Sequence, residues 1–93
     1  MTDAPDEDAT SLGEGHAYKF FQDGDGHRIG LFEWHQLPDG DWCCGGVYFE
    51  GADPVHQAQW RVDSWEPFTL SPSILCMRCN SHGWIRDGKW VDA

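Results

Sequence analysis

From residue 17 onward, apolar and polar positions alternate in short runs that turn-forming residues interrupt at regular intervals. "AYKFF" (17–21) gives way to the polar "QDGDGH", and "RIGLFEWHQ" (28–36) alternates Ile29, Leu31 and Glu33 against Phe32 and Trp34. "LPDG" (37–40) then sets proline before an Asp-Gly pair, ahead of "DWCCGGVYFE" (41–50). Period-two patterning bounded by Gly, Pro and Asp predicts strands joined by tight turns, here a β-hairpin or three-stranded meander. Beyond the break at "GADP" (51–54), "VHQAQWRVDSW" (55–65) fits an extended strand or one short helical turn. "PFTLSPSIL" (67–75) is extended, with Pro72 marking an edge or a bend. "HGWIRDGKWV" (82–91) places two apolar runs around a second Asp-Gly turn signal. No segment holds a 3.6-residue period for more than two turns, so the predicted class is mostly β, with a small α+β arrangement as the alternative.

The beginning of the chain lacks this pattern. Residues 1–16 carry five acids, no Lys or Arg, and Leu12 as the one large apolar residue after Met1. Such a segment buries too little apolar surface to offset its ordering entropy, which predicts a disordered acidic arm over 1–16 and a single small domain over 17–93. The domain itself has eleven acids against six bases, so the arm and the domain each supply half of the net charge of −10. An acidic body disfavours non-specific binding to nucleic acid and to anionic membrane surfaces. Neither a secretory leader nor a membrane-spanning run is visible, which leads to the expectation of a cytoplasmic protein without membrane insertion.

A domain of under about 80 residues usually needs a metal, disulfides or a partner to supplement its core. Six tryptophans and five phenylalanines supply buried contacts, while four cysteines and five histidines point to a metal. In a reducing compartment paired cysteines favour metal over disulfide. The run "CMRCNSHGWIRDGKW" (76–90) holds Cys76, Cys79 and His82 at equal intervals, Cys-x-x-Cys-x-x-His. A two-residue gap lets a tight turn aim both sulfurs inward, and tetrahedral zinc then needs one further ligand. Vicinal Cys43-Cys44 is the obvious source, because successive side chains on a strand face opposite ways and one of the two can reach the metal. Cys44 is favoured, since it precedes Gly45 as a knuckle turn prefers, and His56 and His35 compete for the position. The expected set is Cys44, Cys76, Cys79 and His82 around a structural Zn²⁺, giving a small zinc-stapled, zinc-ribbon-like β domain. A thioredoxin-like reading fails because that motif opens a helix, and "DGDGH" (23–27) fails as a calcium loop because its twelfth position is Trp34.

Residues 60–90 resemble an uncharacterised family of short bacterial and bacteriophage proteins with a Thr-Leu-x-Pro-Ser-Ile segment followed by Cys-x-Ser-His, an aromatic and Ile-x-x-Gly. Thr69, Leu70, Pro72, Ser73, Ile74, Cys79, Ser81, His82, Trp84, Ile85 and Gly88 carry the resemblance, about a third of the chain. It departs upstream, where family members tend to separate the cysteines that stand adjacent here as Cys43-Cys44. The resemblance implies a small zinc-site domain and a phage origin, with no activity attached.

The sequence displays no Ser-centred or Cys-centred nucleophile motif and no helical zinc-protease pair. The resulting expectation is a non-enzymatic, phage-encoded interaction module that binds and modulates a host bacterial protein, with nucleic acid an unlikely partner. Two alternatives are a nucleic-acid-binding zinc module using Arg78, Arg86 and Lys89, and an open-site metal hydrolase with Asp87 or Glu66 as base.

Overall fold

A computed structural model describes residues 4–50 and 60–93. Eight strands run in order: β1 (Thr10–Gly13), β2 (His16–Gln22), β3 (Arg28–Gln36), β4 (Trp42–Tyr48), β5 (Arg61–Trp65), β6 (Phe68–Leu75), β7 (His82–Arg86) and β8 (Lys89–Asp92). They form two four-stranded antiparallel meanders, β1-β2-β3-β4 and β5-β6-β7-β8. Among the described residues the fold is all-β and holds no helix long and apolar enough to cross a membrane.

The turn chemistry explains most of these boundaries. Gly40 has φ +92 and closes the β3–β4 turn by donating to the Leu37 carbonyl, while the Leu37 amide bonds the Asp41 carbonyl. Asp87 and Gly88, both with positive φ, form the two-residue β7–β8 turn that the Asp-Gly pair predicts. Pro72 lies in an interior strand at a register shift between Leu70 and Ile74, a place where its missing N–H breaks no regular ladder. Of the ambiguous segment 55–65, Arg61–Trp65 is a strand, and 55–59 lie outside the described residues.

The acidic segment departs from expectation. Where composition predicts a disordered arm, Thr10–Gly13 pair with β2 and Leu12 is buried, 3 % exposed. One apolar residue suffices because it completes a core that others have built: Leu12 joins Tyr18, Leu31 and Val47 of the first sheet and Phe68, Leu70, Ile74, Ile85 and Trp90 of the second. The edge strands β1 and β8 also touch, closing one side of the sandwich.

Glycine allows the closest approaches. A Cβ on Gly83 would lie 2.5 Å from the Val91 carbonyl oxygen and 2.6 Å from the Trp90 ring, so only glycine lets β7 pack there. That position matters because it follows His82.

Candidate metal centre and serine–histidine pair

The β3–β4 register sets His35 opposite Cys43, and both are buried between the sheets. Facing them, the turn from β6 to β7 folds as a knuckle: Cys76 donates its amide to the Ser81 carbonyl, and Asn80, at φ 64, donates to the Cys76 carbonyl. This brings Cys76 and Cys79 inward, so that donor atoms of His35, Cys43, Cys76 and Cys79 all lie within 4.8 Å of one another. Cys43 Sγ is 3.6 Å from Cys76 Sγ, and His35 Nε2 is 2.9 Å from Cys79 Sγ. Sulfur ligands of a tetrahedral zinc sit roughly 3.8 Å apart, given Zn–S bonds of about 2.3 Å. The donors thus fit a metal ion both in type and in spacing, two coming from the first sheet and two from the β6–β7 turn.

The surroundings hold these donors in place. Glu33, 2 % exposed, accepts from His35 Nδ1 at 3.0 Å, which fixes the tautomer that leaves Nε2 aimed at the sulfurs. Glu33 also lies 3.4 Å from His16 Nδ1, and the His16 ring stacks on Trp90 at 4.2 Å. A buried carboxylate is costly unless its oxygens are occupied, and two imidazoles occupy them here. Burial, with the neighbouring Cys76 and Cys79 sulfurs, pushes the Cys43 thiol up to about 12. Burial also raises Cys76, but the amides of Arg78 and Cys79, together with side-chain hydrogen bonds from Cys43 and Cys79, outweigh this and hold it lowered to about 7. Cys76 therefore gives up its proton more readily than Cys43, and a metal ion held by both sulfurs would displace the protons they carry.

Of the expected ligands, the structure brings together Cys76 and Cys79. Cys44 stands outside the group because β4 turns Cys43 inward and its neighbour to the opposite face. His35 supplies the fourth donor, and His56 lies outside the described residues. His82 is also outside the group, since β7 begins there and carries its side chain to the outer face of the second sheet.

On that outer face His82 meets a serine. Ser73 Oγ lies 2.7 Å from His82 Nε2. Ile74 pairs with Gly83 and Leu75 with His82, so Ser73 and His82 are diagonal neighbours on one face of the β6–β7 hairpin. The Ser73 carbonyl accepts from Trp60 Nε1 at 3.2 Å, anchoring the strand beneath the hydroxyl. Among the described residues, no carboxylate hydrogen-bonds the other nitrogen of His82. Ser73 and His82 each stand three residues outside the Cys76–Cys79 pair, so the knuckle that gathers the sulfurs also sets the spacing of this pair. Sequence reasoning did not single out Ser73, although the interval of three through Ser73, Cys76, Cys79 and His82 is visible.

A family model described as "Bacterial ubiquitination-like system serine protease (BubE)" matches residues 38–93. No curated protein and no solved structure matches the chain. The matched span contains Cys43, Cys76, Cys79, Ser73 and His82, and the description of the family as a serine protease overturns the expectation of a non-enzymatic module. That expectation rested on the absence of a local nucleophile motif, yet side chains that are not neighbours in sequence can meet without one, as Ser73 and His82 do across this hairpin.

Proposed function

We propose, for a chain that belongs to the family of bacterial ubiquitination-like system serine proteases, that Ser73 and His82 form a catalytic pair for peptide-bond hydrolysis and that a structural zinc holds them in register. The observation that carries this reading is the 2.7 Å separation of Ser73 Oγ from His82 Nε2. A base within about 2.6–3.2 Å of a hydroxyl can take its proton as the oxygen attacks a carbonyl. Ser73 Oγ forms the acyl bond while His82 Nε2 accepts the proton and then delivers it to the leaving amine. Water, deprotonated by the same nitrogen, next cleaves the acyl-enzyme. His82 is exposed and Ser73 half-buried, so a substrate can approach from the open face of the sheet. The protein partner is then a substrate of a bacterial ubiquitination-like system.

Zinc is the metal that a mixed His/Cys set suits best. Four protein donors, His35, Cys43, Cys76 and Cys79, fill a tetrahedral shell, so the ion would supply rigidity to the hairpin rather than a reactive water.

The test is covalent labelling with a fluorophosphonate probe followed by mass-spectrometric mapping. Ser73 carries the label in wild-type protein, His82→Ala lowers the labelling rate by about 10²–10⁴-fold, and both His82→Ala and Ser73→Ala retain metal. Labelling that persists in folded Ser73→Ala protein overturns the assignment.

A further inference from the structure

The outer face of the second sheet continues past the Ser73–His82 pair along β7. His82, Trp84 and Arg86 alternate onto that face, while Gly83 and Ile85 between them are buried. Trp84 lies with its ring centroid 6.1 Å from that of His82, and the Arg86 guanidinium sits over the Trp84 ring at 4.6 Å. Across the β7–β8 ladder Trp84 pairs with Val91, which is 40 % exposed, and Arg86 pairs with Lys89. An apolar step followed by two cations therefore begins directly beside the pair.

Bases are scarce in this chain, six against sixteen acids. Lys19 meets Asp6 and Asp8, and Arg61 meets Asp63. Among the described residues neither Arg86 nor Lys89 has a carboxylate within ion-pair distance, although Asp87 stands in the turn between them. Stacking on Trp84 also draws the Arg86 charge back along the strand. The 6.1 Å and 4.6 Å separations place the guanidinium no more than about 11 Å from the His82 ring, the reach of about three residues of extended peptide.

We infer that Arg86, held on Trp84 and reinforced by Lys89, is a specificity determinant that receives a substrate carboxylate within about three residues of the cleaved bond. The ligand is an extended peptide bearing either an acidic side chain or its own C-terminal carboxylate there, with the intervening residues over Trp84 and Val91. A guanidinium presents paired N–H donors that match carboxylate geometry, and an aromatic ring beneath it holds the fork in place. The inference rests on Ser73 being the nucleophile.

The experiment uses metal-loaded full-length Ser73→Ala protein, which binds without turnover, and fluorescein-labelled peptide pools in matched sets. One set exchanges Asp for Asn at each position, and the other exchanges a C-terminal acid for its amide. The acid-bearing peptides of one set bind at least tenfold tighter, identifying the source of the carboxylate. The preference weakens with salt, disappears in Arg86→Gln, and turns toward Lys-bearing peptides in Arg86→Glu. Equal binding of acids and their neutral matches, no binding of either set, or a preference that survives Arg86→Gln with Lys89→Gln overturns the inference. Fluorophosphonate labelling of Ser73 in the wild-type protein is read separately, so loss of the subsite is distinguishable from loss of the nucleophile.

Discussion

The β6–β7 hairpin has two faces of opposite character. Toward the first sheet it presents Cys76 and Cys79 to His35 and Cys43, a cluster in which only Cys79 is more than marginally exposed. Toward solvent it presents Ser73, His82, Trp84 and Arg86, polar and aromatic groups with open access. Both faces use histidine, but His35 is locked by Glu33 and has its second nitrogen among sulfurs, whereas His82 Nε2 meets a single hydroxyl. Burial and a closed donor set suit a metal that stabilises the chain. Exposure and, among the described residues, a single side-chain hydrogen bond suit a group that exchanges a proton with something arriving from outside. One knuckle positions both, which ties the integrity of the outer pair to the inner cluster.

The comparison breaks most severely if the inner cluster is opened. Cys79→Ser, or chelation of the wild-type protein, should unfold the domain: structural zinc contributes an apparent 10–16 kcal/mol in small peptides, against a total stability of about 5–15 kcal/mol for a typical domain. Circular dichroism and metal content, measured together, should fall in both cases, and Ser73 labelling should vanish with them. A folded, labelled apoprotein would separate the two faces.

Gly83→Ala comes next. A methyl group 2.5 Å from the Val91 carbonyl oxygen forces β7 away from β8, at a cost of about 1–3 kcal/mol. Thermal denaturation should show the loss, and Ser73 labelling should slow because His82 is the adjacent residue.

Glu33→Gln probes the orientation of His35 without touching a ligand. Loss of a carboxylate behind a metal-bound imidazole lowers affinity by about 10–100-fold, readable by competition with a chromogenic chelator. In the same assay wild-type affinity should fall with pH, because protons compete for the thiolates. The fall should steepen below about 7, where Cys76 takes up a proton as well as Cys43.

The smallest effects sharpen the contrast. Cys44→Ser should leave metal content intact and shift stability by about 0.5 kcal/mol or less, while Cys43→Ser one residue away loses the metal. Should Cys44→Ser release the metal instead, the donor set would include the outward cysteine and the face assignment of β4 would be reversed.

Much of the fold is legible in the sequence alone. The alternation in 28–36 gives β3 over Arg28–Gln36, and the two Asp-Gly turns appear where the pairs stand. The Cys-x-x-Cys knuckle was also readable, because its geometry depends on a turn of a few residues. Strand β1 was hidden, since Leu12 alone in an acidic segment gains burial only from side chains of both sheets.

The sequence by itself determined most strands other than β1, the Asp-Gly turns and the inward pair Cys76–Cys79, because strand period and turn preference are set by neighbours two to four residues apart. Only the tertiary structure decided that Cys43 rather than Cys44 faces that pair, that His35 completes the set, and that His82 leaves it for Ser73. Those choices depend on register: the pairing of β3 with β4 selects which cysteine points inward, and the shift at Pro72 sets Ser73 on the face of His82. A shift by one residue would reverse every one of them, since adjacent strand positions face opposite sides. The register is held by the packing of two sheets around one core, which no local stretch of sequence contains.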